Sequence, residues 1–97
     1  MGVRVDQHHR ERDALRTLGV AFDGARVLEI GCGDGRLTKT YADVARAVVA
    51  IDPDQDVIAA VRSGKRWPDH VEFLPVGIDA FRPNGRRFDI ALFSWSL

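Results

Sequence analysis

Glu29, Gly31, Cys32, Gly33, Asp34 and Gly35 stand within seven residues of one another, between a short apolar run and a helix-type pattern. Glycines at a strand-to-helix turn allow a tight bend and let a ligand lie against the backbone, because no Cβ stands in the way. The start of a helix adds free N–H groups, so such a turn suits a nucleotide-like ligand. The two acids narrow the choice. A dinucleotide lays an anionic pyrophosphate on the turn and spaces its glycines G-x-G-x-x-G. Here the spacing is G-x-G-x-G with Arg36 in the place of the last glycine, and Glu29 and Asp34 would repel a pyrophosphate at short range. An NAD-binding oxidoreductase fragment is therefore disfavoured. A ligand with cationic groups meets no such repulsion, and S-adenosylmethionine carries a sulfonium and an ammonium beside one carboxylate.

Other reactive residue types are less promising. Cys32 has no His or second Cys near it in sequence, and Asp34 opposes the thiolate, so small-residue packing is its expected role. His8 and His9 diverge on a helix and His70 lies far off, which predicts no metal site. Ser94 and Ser96 lack the Gly-x-Ser-x-Gly elbow of a serine nucleophile. Lys65-Arg66 and Arg86-Arg87 read as solvated pairs, and Trp67 and Trp95 as apolar contacts.

The elements that must position the turn alternate between strand-type and helix-type patterns, which predicts an α/β fold. Asp6 caps a helix expected to run to about Leu18, with Gly19 ending it. Val27-Leu28-Glu29-Ile30 reads as the first strand of the alternation, followed by a helix with Leu37, Tyr41, Val44 and Ala45 on one stripe. Ala47 to Ile51 is continuously apolar and β-branched, as a strand buried on both faces requires, and Asp52 terminates it. Asp54 is the expected cap of the next helix, with Asp56 in its first turn, Val57, Ile58 and Val61 facing inward, and Ser63-Gly64 at its end. Val71 to Leu74 and Phe88 to Leu97 read as the third and fourth strands. Between them Pro83, Asn84 and Gly85 argue against a full crossover helix.

Composition sets the bounds. The 97 residues are about two thirds of the ~150 that a typical single domain uses, which predicts one small domain, 1–97, and excludes a second core. Fourteen basic residues cancel fourteen acidic ones, so no global field draws the chain to nucleic acid or an anionic membrane. No apolar run approaches the ~18 residues of a membrane span, and the first twelve residues lack the apolar core of a signal peptide. These features predict a cytoplasmic protein with no nucleic-acid or membrane partner.

Val27 to Gly35 closely resembles the first motif of the class I S-adenosylmethionine-dependent methyltransferases, and the resemblance extends over about Arg26 to Leu97. It implies a Rossmann-like three-layer α/β/α fold with a partial parallel sheet in the order 3-2-1-4, truncated after the fourth strand. It also implies that Glu29 orients the methionine ammonium while Gly31, Cys32, Gly33 and Gly35 pack under the methionine moiety. Ala50-Ile51-Asp52-Pro53 matches the next motif, with Asp52 on the ribose hydroxyls and Pro53 beside the adenine. Gly77-Ile78-Asp79-Ala80 matches the third, whose Asp contacts the adenine amino group. Ser94 matches the position near the methyl donor, and the absence of Asn-Pro-Pro-Tyr there leans toward a small-molecule acceptor. The segments that position an acceptor lie beyond the fourth strand, so the resemblance yields no catalytic residue. Two alternatives follow: a catalytically inactive S-adenosylmethionine-binding module, or a dimerisation module. An uncovered fourth strand with no Lys or Pro to guard it predicts a homo-oligomer formed through that strand.

Overall fold

Burial along the second and third described strands alternates between two clusters, one on each face of a sheet. Val27, Val48 and Ala50 belong with Phe22, Tyr41, Ile58, Val61, Phe73 and Leu92. Leu28, Val49 and Ile51 belong with Phe81. Successive side chains of a strand point to opposite faces, so this separation is the two-residue period made visible. The computed structural model describes residues 2–4 and 22–94. The helix expected from Asp6 to Leu18, its terminator Gly19, Trp95 and Ser96 all lie outside the described residues.

The elements are β1 (Gly2–Arg4), β2 (Arg26–Ile30), α1 (Thr38–Tyr41), β3 (Ala47–Ile51), α2 (Gln55–Gly64), β4 (Val71–Leu74) and β5 (Ile90–Phe93). All strand pairs are parallel, in the order β1-β5-β2-β3-β4. The expected order 3-2-1-4 is present as β4-β3-β2-β5. Arg26 and Asp89 fix the register of β2 against β5: the Arg26 N–H donates to Asp89 Oδ2 at 2.8 Å, its Nε to the same oxygen at 3.2 Å, and the Asp89 N–H to the Arg26 carbonyl at 2.8 Å. These bonds hold the exposed Asp89 carboxyl below its ordinary range.

Three expectations need correction. The fourth strand is not a free edge, because β1 pairs with it from Gly2↔Ala91 to Arg4↔Phe93. Three residues carry too little pattern to announce a strand, and the backbone groups of β5 were free to be paired. β5 therefore offers no free backbone edge for pairing with a second copy. The helix after the turn has only four residues, with its C-cap at Ala42. The chain then turns through residues 42–44, which leaves Val44 43% exposed while Leu37, Tyr41 and Ala45 stay buried. Finally, the strand placed at Phe88 to Leu97 is confined to Ile90–Phe93 within the described residues.

α2 follows its sequence closely. The Asp54 side chain accepts from the N–H groups of Asp56 and Val57, which satisfies two donors at the helix start, and Ile58 and Val61 bury the inner face. Both described helices lie on the first face of the sheet. On the second face a loop covers the strands, with Phe81 buried and Phe88 packed against the same cluster. No helix forms between Gly77 and Arg87; Asn84 and Gly85 instead take positive φ angles of 54° and 86°.

Candidate functional site

The carboxyl ends of β2, β3, β4 and β5 bring the candidate residues to one edge of the sheet. At the end of β2, Gly31, Gly33 and Gly35 have φ of 79°, 54° and 79°, a left-handed region that side chains strongly disfavour. Gly31 is also steric: a Cβ there would lie 2.7 Å from the Ser94 carbonyl oxygen. At Gly35 a Cβ would meet Trp67 and Val61, both at 2.9 Å, so the turn is backed by a tryptophan that packs edge-on against Phe73.

The turn offers fewer free donors than its sequence suggests. The Gly31 and Cys32 N–H groups both donate to the Ile51 carbonyl, at 2.8 and 3.0 Å. The Gly33 N–H donates to Asp52 Oδ2 at 3.1 Å, and the Arg36 N–H to Asp34 Oδ1 at 3.0 Å. With α1 only one turn long, the expected array of free helix N–H groups is replaced by bonds to β3 and within the turn. A pyrophosphate would find most of its usual partners engaged, which weighs further against a dinucleotide.

Glu29 is the most constrained acid of the site. It shares a face with Val27 and points beneath α1, where it is fully buried. Thr38 Oγ1 and Tyr41 OH both donate to its Oε1, at 2.7 and 2.5 Å. Its Oε2 is buried with no hydrogen-bond partner among the described residues. Burial pushes the carboxyl above the ordinary glutamate value, against the pull of the Tyr41, Thr38 and Ser94 hydroxyls. The Tyr41 phenol is raised well above its ordinary value by burial and then by the Glu29 charge. Sequence reasoning missed Thr38 and Tyr41, reading Tyr41 only as core. The available signal was a glutamate inside a buried strand, which demands donors from whatever packs on it.

The remaining residues gather around this pair of strands. Asp52 is half-buried and accepts twice, from Gly33 N–H on Oδ2 and from Asp54 N–H on Oδ1 at 3.0 Å, so it ties the turn to the start of α2. Pro53 is exposed beside Gly77, where a Cβ would lie 3.7 Å from the proline Cβ and 2.8 Å from Asp79 Oδ1. Asp79 and Ala80 are exposed on that loop, and the Ala80 N–H donates to the Gly77 carbonyl at 3.1 Å. Ser94 closes the site from β5: its N–H donates to the Ile30 carbonyl at 2.9 Å. Cys32 is buried and its thiol is pushed up to about 12, first by burial and then by the charges of Glu29 and Asp52, so it is inert at neutral pH. Among the described residues no group of three or more His, Cys, Asp or Glu side chains could hold a metal ion. No described helix is long and apolar enough to cross a membrane.

A family model described as a methyltransferase domain matches residues 27–97. The chain belongs to this methyltransferase family. A ubiquinone biosynthesis O-methyltransferase of Rhizobium etli is 35% identical to it over 72 residues, which are 73% of this chain and 29% of that protein. The chain thus spans less than a third of the curated relative's length. Among solved structures, an S-adenosylmethionine-dependent methyltransferase from Mesorhizobium loti superposes with a TM-score of 0.71 at 24% identity, covering 94% of this chain and 41% of its own. A dimethyladenosine transferase from Plasmodium falciparum gives 0.72 at 22% identity, covering 95% and 34%. Both likenesses are of fold.

Proposed function

We propose that this chain forms the cofactor-binding part of a cytoplasmic S-adenosylmethionine-dependent methyltransferase acting on a small molecule, folded as one domain over 1–97. The observation that carries the reading is Glu29: a fully buried carboxyl group with one oxygen unpartnered among the described residues, two residues before the left-handed Gly31. A buried acid left short of partners favours a cationic ligand, and glycine φ angles leave room against the backbone for its chain. These residues fit the methionine end of the cofactor. Glu29 would orient the ammonium, and Gly31, Cys32, Gly33 and Gly35 would pack under the methionine moiety. Asp52 keeps lone pairs beyond its two backbone bonds for the ribose hydroxyls. Pro53, Asp79 and Ala80 would flank the adenine, and Ser94 would stand near the methyl donor. Bound there, the cofactor supplies an electrophilic methyl group with a thioether as leaving group.

The Rhizobium etli relative is a ubiquinone biosynthesis O-methyltransferase, which supports a small-molecule acceptor. The segments that place the acceptor are expected outside the 97 residues, so the chain by itself should bind cofactor and turn over poorly. Any self-association must use a surface other than the backbone edge of β5, which β1 covers. Calorimetric titration with S-adenosylhomocysteine and, separately, with NAD tests the reading. Saturable binding of the first and none of the second supports it; the reverse overturns it.

A further inference from the structure

The two oxygens of Glu29 are held in opposite circumstances. Oε1 receives two hydroxyl donors from one face of α1, where Thr38 and Tyr41 stand three residues apart and so point the same way. Among the described residues Oε2 has no hydrogen-bond partner and is shut away from water, the Ser94 hydroxyl acting on the carboxyl only from beyond a full hydrogen bond. An ionised carboxylate with one bare oxygen in a core is costly unless a cation arrives or a proton stays on. The titratable and polar groups that act on Glu29 among the described residues are Thr38 and Tyr41 from α1, Cys32 from the turn and Ser94 after β5, with the acids Asp34 and Asp52 one step further out, where their charges act on Cys32. None of these is a cation.

We propose that Glu29 holds a proton in the empty protein and releases it to solvent when the ammonium end of the cofactor docks, with Thr38 and Tyr41 as the positioning residues that set this exchange. The charge balance is simple: one proton leaves the carboxyl as one positive charge arrives beside it, and no other bond changes. The direction in which burial moves the carboxyl agrees with it. Thr38 and Tyr41 act through Glu29, since their donors favour its ionised form and so set the pH at which the proton leaves. The consequence is a cofactor affinity that depends on pH through a single buried group. This inference rests on the proposed cofactor.

The test is calorimetry with S-adenosylhomocysteine, which keeps the ammonium, in paired buffers of different ionisation enthalpy between about pH 5 and pH 8. The parent chain should release about one proton per ligand at the acid end, with affinity rising up to about tenfold per pH unit until Glu29 ionises in the empty protein. Glu29→Gln should bind more weakly, release no proton and show no pH dependence. Tyr41→Phe and Thr38→Val should each move the midpoint of the affinity profile to higher pH, an effect that a merely structural role for the hydroxyls would not produce. Proton release that vanishes in the parent at every pH, that survives in Glu29→Gln, or that keeps its midpoint in Tyr41→Phe overturns the proposal. The parent's buffer dependence needs no variant, so a poorly folding Glu29→Gln does not shield it. Binding heat without proton exchange strikes this inference alone, whereas no binding at any pH strikes the functional reading as well.

Discussion

The turn after β2 and the loop after β4 each set a glycine beside an acid, yet they are built differently. Around Gly31 everything is fixed: the acid is buried, its hydroxyl donors come from α1, the turn N–H groups are tied to Ile51 and Asp52, and the Ser94 carbonyl leaves no space for a Cβ. Around Gly77 the acid is exposed, and the loop is held mainly by the Gly77 carbonyl accepting from Ala80 and Phe81. A buried charge is worth far more to a ligand than one facing water, because water competes for and screens the second. The difference teaches that affinity should be concentrated at the β2 end of the crevice, while the β4 end contributes selectivity with little energy.

The sharpest way to break that comparison is to add a side chain at the rigid end. Gly31→Val places a Cβ in the left-handed region and against a backbone carbonyl that cannot swing away, so the chain should lose more than about 2 kcal/mol of stability in urea unfolding. Gly77→Ala should cost less, since the atom it meets is the movable carboxylate of Asp79. Equal losses at the two glycines would erase the distinction.

At the level of binding, Asp52→Ala should weaken S-adenosylhomocysteine by about 1.5 to 3 kcal/mol, the range for hydrogen bonds to a charged group. Asp79→Ala should cost about 1 kcal/mol or less, because its carboxylate is hydrated. Calorimetry on both variants orders the two subsites. A larger loss at Asp79 would reverse the assignment of strength.

How much of this was legible in the sequence depends on how local each feature is. The Asp54 cap, the apolar run Ala47–Ile51 and the glycine turn are written in neighbouring residues and appear where expected. Asp52 was legible as a strand terminator, but its bond to Gly33 joins segments nineteen residues apart and could not be read. The same holds for Tyr41 and Glu29, twelve residues apart, and for the Ile51 carbonyl that takes two donors of the turn. β1 is the extreme case, since three residues with no periodicity pair with a strand near the other end of the chain. The short α1 escaped for a different reason: its apolar stripe continued into Val44 after the backbone had already turned.

Acid–base behaviour separates the regions in a gentler way. Because the Glu29 carboxyl lies above its ordinary value of 4.5 in the folded chain, the native state keeps a proton that the unfolded state has shed. Stability should therefore be fully present below the unfolded value and fall as pH rises through the folded one. Glu29→Gln should flatten that slope in thermal unfolding followed against pH. Asp89 is depressed by Arg26, so its contribution is present above the unfolded value of 3.8 and disappears as pH falls through the folded one. This effect should be the smallest of the set, because the pair is exposed, and Asp89→Asn should remove it with little change at neutral pH.

The most direct test of the claim that the β2 end carries the binding is an amide-resolved NMR titration of the chain with S-adenosylhomocysteine. The account predicts saturable shifts that are largest at Gly31, Cys32, Gly33 and Asp52, smaller ones at Asp79 and Ala80, and no response to NAD at the same concentration. Shifts centred on Gly77 to Phe81 with the glycine turn unmoved, or a response to NAD alone, would contradict it.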